Sequence, residues 1–190
     1  RIKMAISVDG RTAMDSGESQ WITGPAARSD VQRIRASSCA ILTGIGTILA
    51  DDAALTVRAE QLDTNIDGVS VQDIVARQPL RVVLDSAARL PYASKVLEAK
   101  GKILWVVDEA AEVDPRVSAF KHVDVFKVAK VNSARGIEAV LSKLRDLECN
   151  ELLVEAGSTL AGASYWIQTA RRLQMQTSTR IVKWNIDVLS

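Results

Sequence analysis

The sequence predicts an α/β domain on a mostly parallel central sheet flanked by helices, and three observations carry that prediction. Apolar runs of strand length recur along the chain, at residues 2–8, 39–43, 81–85, 102–107, 123–128 and 151–155. Runs such as RVVLD, ILWVV and ELLVE are continuous rather than alternating, as in strands covered on both faces. Helical patterns separate the runs, and glycines, hydroxyls and charged residues gather where runs end, which is where α/β folds receive ligands.

Each element has a local reason. After the first run, the stretch SVDGRTAMDSGESQWITG mixes glycine, hydroxyl and charged residues. A helix is expected over residues 25–37, with Thr23 or Gly24 as cap, Pro25 in the first turn, and Ala27, Val31 and Ile34 at helical spacing. Residues 59–78 are polar, weakly patterned and followed by Pro79, which reads as a long surface excursion. A second helix is expected over residues 136–147, with Ser133 as N-cap and Ile137, Val140, Leu141 and Leu144 on one face. At the C-terminus, RLQMQTSTRIVKWNIDVLS alternates in places and turns at residues 183–185, the pattern of a C-terminal antiparallel strand pair.

Bulk composition narrows the function. With 190 residues and 47% hydrophobic content, the chain reads as one domain, residues 1–190, with a proper core. Lys and Arg total 24 against 23 Asp and Glu, and the resulting formal charge of +1 gives no reason to expect a nucleic acid or an anionic membrane as partner. No apolar run approaches the ~18 residues of a membrane helix. Cys39 and Cys149 match no metal-ligand spacing and are expected reduced, in a cytoplasmic protein. The first residues, RIKMAISVDG, read as the inside of a strand, so a preceding segment or domain is expected.

Three stretches hold candidate chemistry. In VEAGSTLAGA a buried strand runs into Gly157, Ser158, Thr159 and Gly162 before an expected helix; such a turn suits an anion, and equally a plain helix cap. It lacks the Lys of a P-loop and the spacing of the dinucleotide fingerprint. Glu155, ending that strand, needs a partner or a ligand to offset its burial. In ILTGIGTILADDAALTVR, Gly44 and Gly46 permit close backbone approach to a flat or phosphorylated ligand, followed by Thr47, Asp51, Asp52 and Arg58. Asp51 and Asp52, being adjacent, point in different directions and make no dyad. On the first helix, Arg28 and Arg35 share a face while Arg33 turns away; a sugar phosphate would suit the pair, and a solvated charged face is the alternative. A single histidine, His122, leaves no Ser-His-Asp arrangement and no metal cluster, and is expected to be a surface or satisfied residue. These patterns describe a pocketed α/β domain that binds something phosphorylated and name no reaction.

Three motifs taken together go further. SVDGRTA…GESQWITG, ILTGIGTILADDAALTVR and LLVEAGSTLAGA, in this order and spacing, resemble the reductase domain of the bifunctional riboflavin biosynthesis deaminase/reductase family over residues 2 to about 163. The resemblance implies a dihydrofolate reductase-like fold and NADPH-dependent reduction of 5-amino-6-(5-phosphoribosylamino)uracil to its ribitylamino product. At matching positions it implies substrate contacts for Lys3, Ser19, Arg35, Leu55, Arg58 and Glu155. Cofactor contacts are implied for Ala5, Trp21, Thr23, Thr47, Asp51, Ser86 and the pyrophosphate turn of Gly157, Ser158, Thr159, Leu160, Ala161, Gly162 and Ala163. Lys3 and Asp51 are the leading acid/base candidates, with Glu155 in reserve, and Arg35 and Arg58 are expected to clamp the substrate phosphate. A homodimer or larger assembly is implied, as is a fused deaminase domain in the full-length product. The zinc motifs of that deaminase half do not occur in these 190 residues. After Ala163 the family pattern departs: SYWIQTAR follows directly, and roughly thirty residues are absent or replaced relative to a domain of this kind. Other readings are a reductase of the same fold acting on a pterin or another pyrimidine, or a non-catalytic NADP-binding domain.

Overall fold

The computed structural model describes residues 1–5, 25–62, 68–155 and 186–189. In chain order the elements are β1 (Ile2–Ala5), α1 (Pro25–Ser37), β2 (Ala40–Gly44), α2 (Ile45–Asp51), a 3₁₀ turn (Ala59–Gln61) and α3 (Val71–Ala76). Then follow β3 (Leu80–Leu84), α4 (Lys95–Glu98), β4 (Ile103–Asp108), a second 3₁₀ turn (Pro115–Ala119), β5 (Val123–Val128), α5 (Ala134–Asp146), β6 (Leu152–Glu155) and β7 (Ile186–Leu189). The sheet order is β5-β4-β3-β2-β6-β1-β7, and every pairing is parallel.

The continuous apolar runs are explained by cover on both faces. Along β2, Ala40 and Leu42 enter one core while Ile41 enters the other; β3 and β4 divide in the same way. One core packs Val82, Leu104 and Val154 under Ile137, Val140 and Leu144 of α5. The opposite core packs Ile41, Val83, Trp105 and Leu153 against Ile45 and Ile48 of α2, Val96 and Leu97 of α4, and Ile34 of α1. From β1 to β5 the chain steps towards the β5 edge with α1, α2 and α4 on one face. It then returns to β6 with α5 on the other, as crossovers of one hand require when direction reverses. Inserting β6 between β2 and β1 makes that place the switch point of the sheet.

Most strands fall within a residue of expectation, and α1 matches it. Ser133 caps α5 as expected, its Oγ accepting from Gly136 N at 3.0 Å. The polar excursion contains α3, whose cap Ser70 accepts from Asp73 N at 3.2 Å; the helix buries none of its residues, so no apolar stripe announced it. Residues 45–51 form α2, an element hidden by Gly44 at its cap and Gly46 in its first turn. The expected C-terminal antiparallel pair is not found among the described residues: β7 lies beside β1 and runs parallel to it, with Ile2 opposite Ile186. The expected partner and turn lie outside the described residues.

Candidate functional site

The carboxyl ends of β1, β2, β3 and β6 carry the site. Parallel register sets Lys3 opposite Glu155, so the two side chains leave the same face of the sheet. That is the face covered by α1, and Arg35 in its last turn reaches Glu155 in a bidentate pair, Nε to Oε1 at 2.6 Å and Nη2 to Oε2 at 2.8 Å. Its third nitrogen, Nη1, donates to the Thr56 carbonyl at 3.0 Å. The two side chains are only 12% and 8% exposed.

Burial sets the electrostatics of this pair. Desolvation alone would push the Glu155 carboxyl up, but the charge and hydrogen bonds of Arg35, with Lys3 adding its charge, hold it below the ordinary carboxylate range. Desolvation would likewise lower Arg35, and Glu155 more than restores it. Glu155 is therefore an ionised acceptor at neutral pH rather than a proton donor. Arg35, one arm of the expected phosphate clamp, directs three of its five N–H donors at Glu155 and Thr56, one from each nitrogen.

Arg58, the second arm, is exposed and makes no ion pair among the described residues. It follows a segment with unusual geometry: Leu55 has φ of 54°, a left-handed value for a non-glycine, and its side chain is buried in the core. Any ligand contact of Leu55 is thus through its backbone. On α2, half-buried Thr47 and exposed Asp51 are one turn apart on the same side, and a Cβ built on Gly46 would meet nothing within 4 Å. The first turn of α2 is open to a close ligand. Asp52 turns away as expected: at φ of 44° it caps α2 and pairs with Lys95, 3.3 Å to Nζ.

Ser86 follows β3 at the same end of the sheet, its Oγ accepting from Asn132 Nδ2 at 3.4 Å. Ala5 ends β1. Ser19, Trp21, Thr23 and the turn of Gly157, Ser158, Thr159, Leu160, Ala161, Gly162 and Ala163 lie outside the described residues. His122 is a satisfied residue, its Nε2 2.9 Å from the Leu97 carbonyl. Both cysteines are free. Among the described residues no cluster of three or more His, Cys, Asp or Glu is placed for a metal ion.

Sequence reasoning passed over two buried polar residues, Gln32 and Arg81, and the half-buried Gln78. Gln32 is 3% exposed on α1, one turn from Arg28 and Arg35, and that shared stripe was the available signal. Gln78 precedes β3 and bonds to Val57. Arg81 is wholly buried, and its guanidinium donates to the carbonyls of Val96 at 2.6 Å, Ala99 at 3.0 Å and Gly101 at 2.6 Å, tying the end of α4 to β3. Desolvation lowers its pKa to about 10, so it stays charged at neutral pH.

A parallel sheet with helices on both faces defines an α/β domain of the doubly wound class, with basic and acidic side chains converging at its switch point. Within that class, the chain belongs to the RibD C-terminal domain family, whose model matches residues 1–168. It is 40% identical over 164 residues to the riboflavin biosynthesis protein RibD of Escherichia coli K12, covering 86% of this chain and 43% of that one. It is 34% identical over 149 residues to the 5-amino-6-(5-phosphoribosylamino)uracil reductase of Buchnera aphidicola subsp. Acyrthosiphon pisum, covering 78% of this chain and 70% of that protein. Among solved structures, RibD of Acinetobacter baumannii superposes with a TM-score of 0.69 at 37% identity, over 90% of this chain and 42% of the other. A Thermotoga maritima deaminase/5-amino-6-(5-phosphoribosylamino)uracil reductase gives 0.60 at 30% identity, over 83% and 38%. The chain thus spans less than half the length of the RibD proteins it matches.

Proposed function

We propose that this domain catalyses NADPH-dependent reduction of 5-amino-6-(5-phosphoribosylamino)uracil to the ribitylamino product, an oxidoreductase step of riboflavin biosynthesis. The observation that carries the reading is the Lys3–Glu155–Arg35 constellation at the switch point, with exposed Arg58 nearby in sequence to the Thr56 carbonyl that Arg35 holds, in a chain of this family.

The residues fit the chemistry. Opening the ribosylamine ring exposes a carbon–nitrogen double bond, and its reduction needs a hydride at the sugar carbon and a proton at nitrogen. The dinucleotide, when bound, supplies the hydride. Thr47, Asp51, Ser86 and the open first turn at Gly46 would hold it, together with Ala5, Trp21, Thr23 and residues 157–163. Glu155, kept ionised, accepts hydrogen bonds from sugar hydroxyls and orients the pentose. Lys3, beside it, carries the proton for nitrogen, and Asp51 is the alternative acid/base group. Ser19 and Leu55 complete the substrate side. Arg58 grips the phosphate, and Arg35, held in place by Glu155, has two further N–H donors on Nη1 and Nη2 to share in the clamp.

The reading extends to the whole protein. The relatives' lengths and the deaminase/reductase name of the Thermotoga maritima protein support a fused deaminase domain outside these 190 residues. A cytoplasmic homodimer or larger assembly is part of the same proposal. Among the described residues no helix is long and apolar enough to cross a membrane.

The test is cofactor oxidation followed with each of two acceptors, the ribosylaminouracil phosphate and dihydrofolate. NADPH consumption with the first alone is expected. Consumption with dihydrofolate alone would assign the domain to a pterin, and binding without consumption would make it non-catalytic.

A further inference from the structure

The peptide unit joining Val57 to Arg58 is held from both edges by two glutamine side chains. Gln78 Nε2 donates to the Val57 carbonyl at 3.0 Å, and Gln32 Oε1 accepts from Arg58 N at 3.0 Å. Each amide is itself fixed. Gln78 Oε1 accepts from Val57 N at 2.9 Å and its Nε2 also donates to the Val75 carbonyl at 2.8 Å, while Gln32 Nε2 donates to Gln61 Oε1 at 3.0 Å. The partners dictate which end of each amide is oxygen, since two carbonyls face one end of Gln78 and an N–H faces the other. Gln78 therefore pairs with Val57 as a neighbouring strand would, without a strand being present. Val57 buries its side chain, at 2% exposure, and that leaves Arg58, in extended backbone at φ of −112°, to project outward.

We infer that Gln78 and Gln32 are positioning residues for Arg58: by locking the 57–58 peptide plane they aim its guanidinium at the substrate phosphate. Neither glutamine touches substrate in this assignment, and the inference rests on the proposed reading of Arg58 as the phosphate grip. Left to itself, an exposed arginine samples many rotamers and gains little from a phosphate partner. Fixing its Cα and departure direction removes part of that entropic cost before the ligand arrives.

The readout is phosphate discrimination, the ratio of kcat/KM for the ribosylaminouracil phosphate to that for the same compound without its phosphate. A general loss of structure lowers both values and leaves the ratio alone. Arg58→Ala should reduce the ratio roughly 10- to 100-fold, the range of a charge-assisted contact. Gln78→Ala and Gln32→Leu should each reduce it several-fold through KM for the phosphorylated substrate. Gln32→Glu, which keeps an acceptor for Arg58 N, should preserve it. Gln78→Ala combined with Arg58→Ala should be no lower than Arg58→Ala alone. If Arg58→Ala lowers the ratio while both Gln78→Ala and Gln32→Leu leave it unchanged, the positioning inference is wrong and the phosphate reading stands. If Arg58→Ala itself leaves the ratio unchanged, the phosphate reading of Arg58 is wrong and the inference falls with it. Having two independent glutamine variants keeps the test usable should one fail to fold.

Discussion

Arg35 and Glu155 show how one residue pair can be both a structural requirement and part of a site. Removing the guanidinium alone strands a buried carboxylate, so Arg35→Leu should destabilise the fold by ~3–5 kcal/mol in denaturant titration. Arg35→Leu with Glu155→Leu should recover most of that loss, while activity stays lost if Glu155 is the sugar's acceptor, as proposed. The pH dependence has a definite sign. Glu155 titrates lower folded than unfolded, so its stabilisation is complete above the unfolded value near 4.5 and disappears as pH falls through the lower folded value. Glu155→Gln should therefore flatten the acid limb of the stability profile below about pH 4.5; an unchanged slope would show that the pair is not coupled to folding. At this scale the sequence revealed that Glu155 needed a partner but not which one. Arg35 lies 120 positions away, and only the packing of α1 over β6 reveals it as that partner.

Among the elements, α2 and α5 each carry a glycine in the first turn, with opposite consequences. Gly136 lies in the first turn of α5 where a Cβ would overlap the Lys130 carbonyl, so Gly136→Ala should lower the melting temperature despite alanine's better helix propensity. Gly46 has open space around it, and Gly46→Ala should stabilise the free protein by up to about 1 kcal/mol. If the first turn of α2 receives the dinucleotide, the same change should weaken NADPH binding, measured by titration calorimetry; unchanged affinity would remove Gly46 from the cofactor surface. The buried strands were legible because their runs are apolar on both faces, and α5 because it has one apolar stripe and a serine cap. The helices α2 and α3 were not: one starts among glycines read as loop, the other buries nothing and is defined by its Ser70 cap. Gln32 and Gln78 escaped for a related reason, since hydropathy counts a glutamine as surface wherever its amide finds buried partners.

For the molecule as a whole, sheet order explains how the two ends of the candidate site, Lys3 and Glu155, come side by side. Lys3, Arg35, Asp51, Arg58 and Glu155 are scattered from one end of the chain to the other. Returning the chain from β5 to β6 beside β1 brings the first and last of them into register. The class of fold followed from alternating elements, but the place of β6 did not, because hydrophobic pattern says that a strand is interior without saying between which neighbours. The most direct measurement is isotope transfer: NADPH carrying deuterium at the transferable position of its nicotinamide is supplied with the ribosylaminouracil phosphate, and the product is analysed by mass spectrometry. A single deuterium on the former anomeric carbon of the ribityl chain is the result expected if the crevice sets the two ligands side by side. Product lacking the label, or label found on the pyrimidine ring, would contradict it.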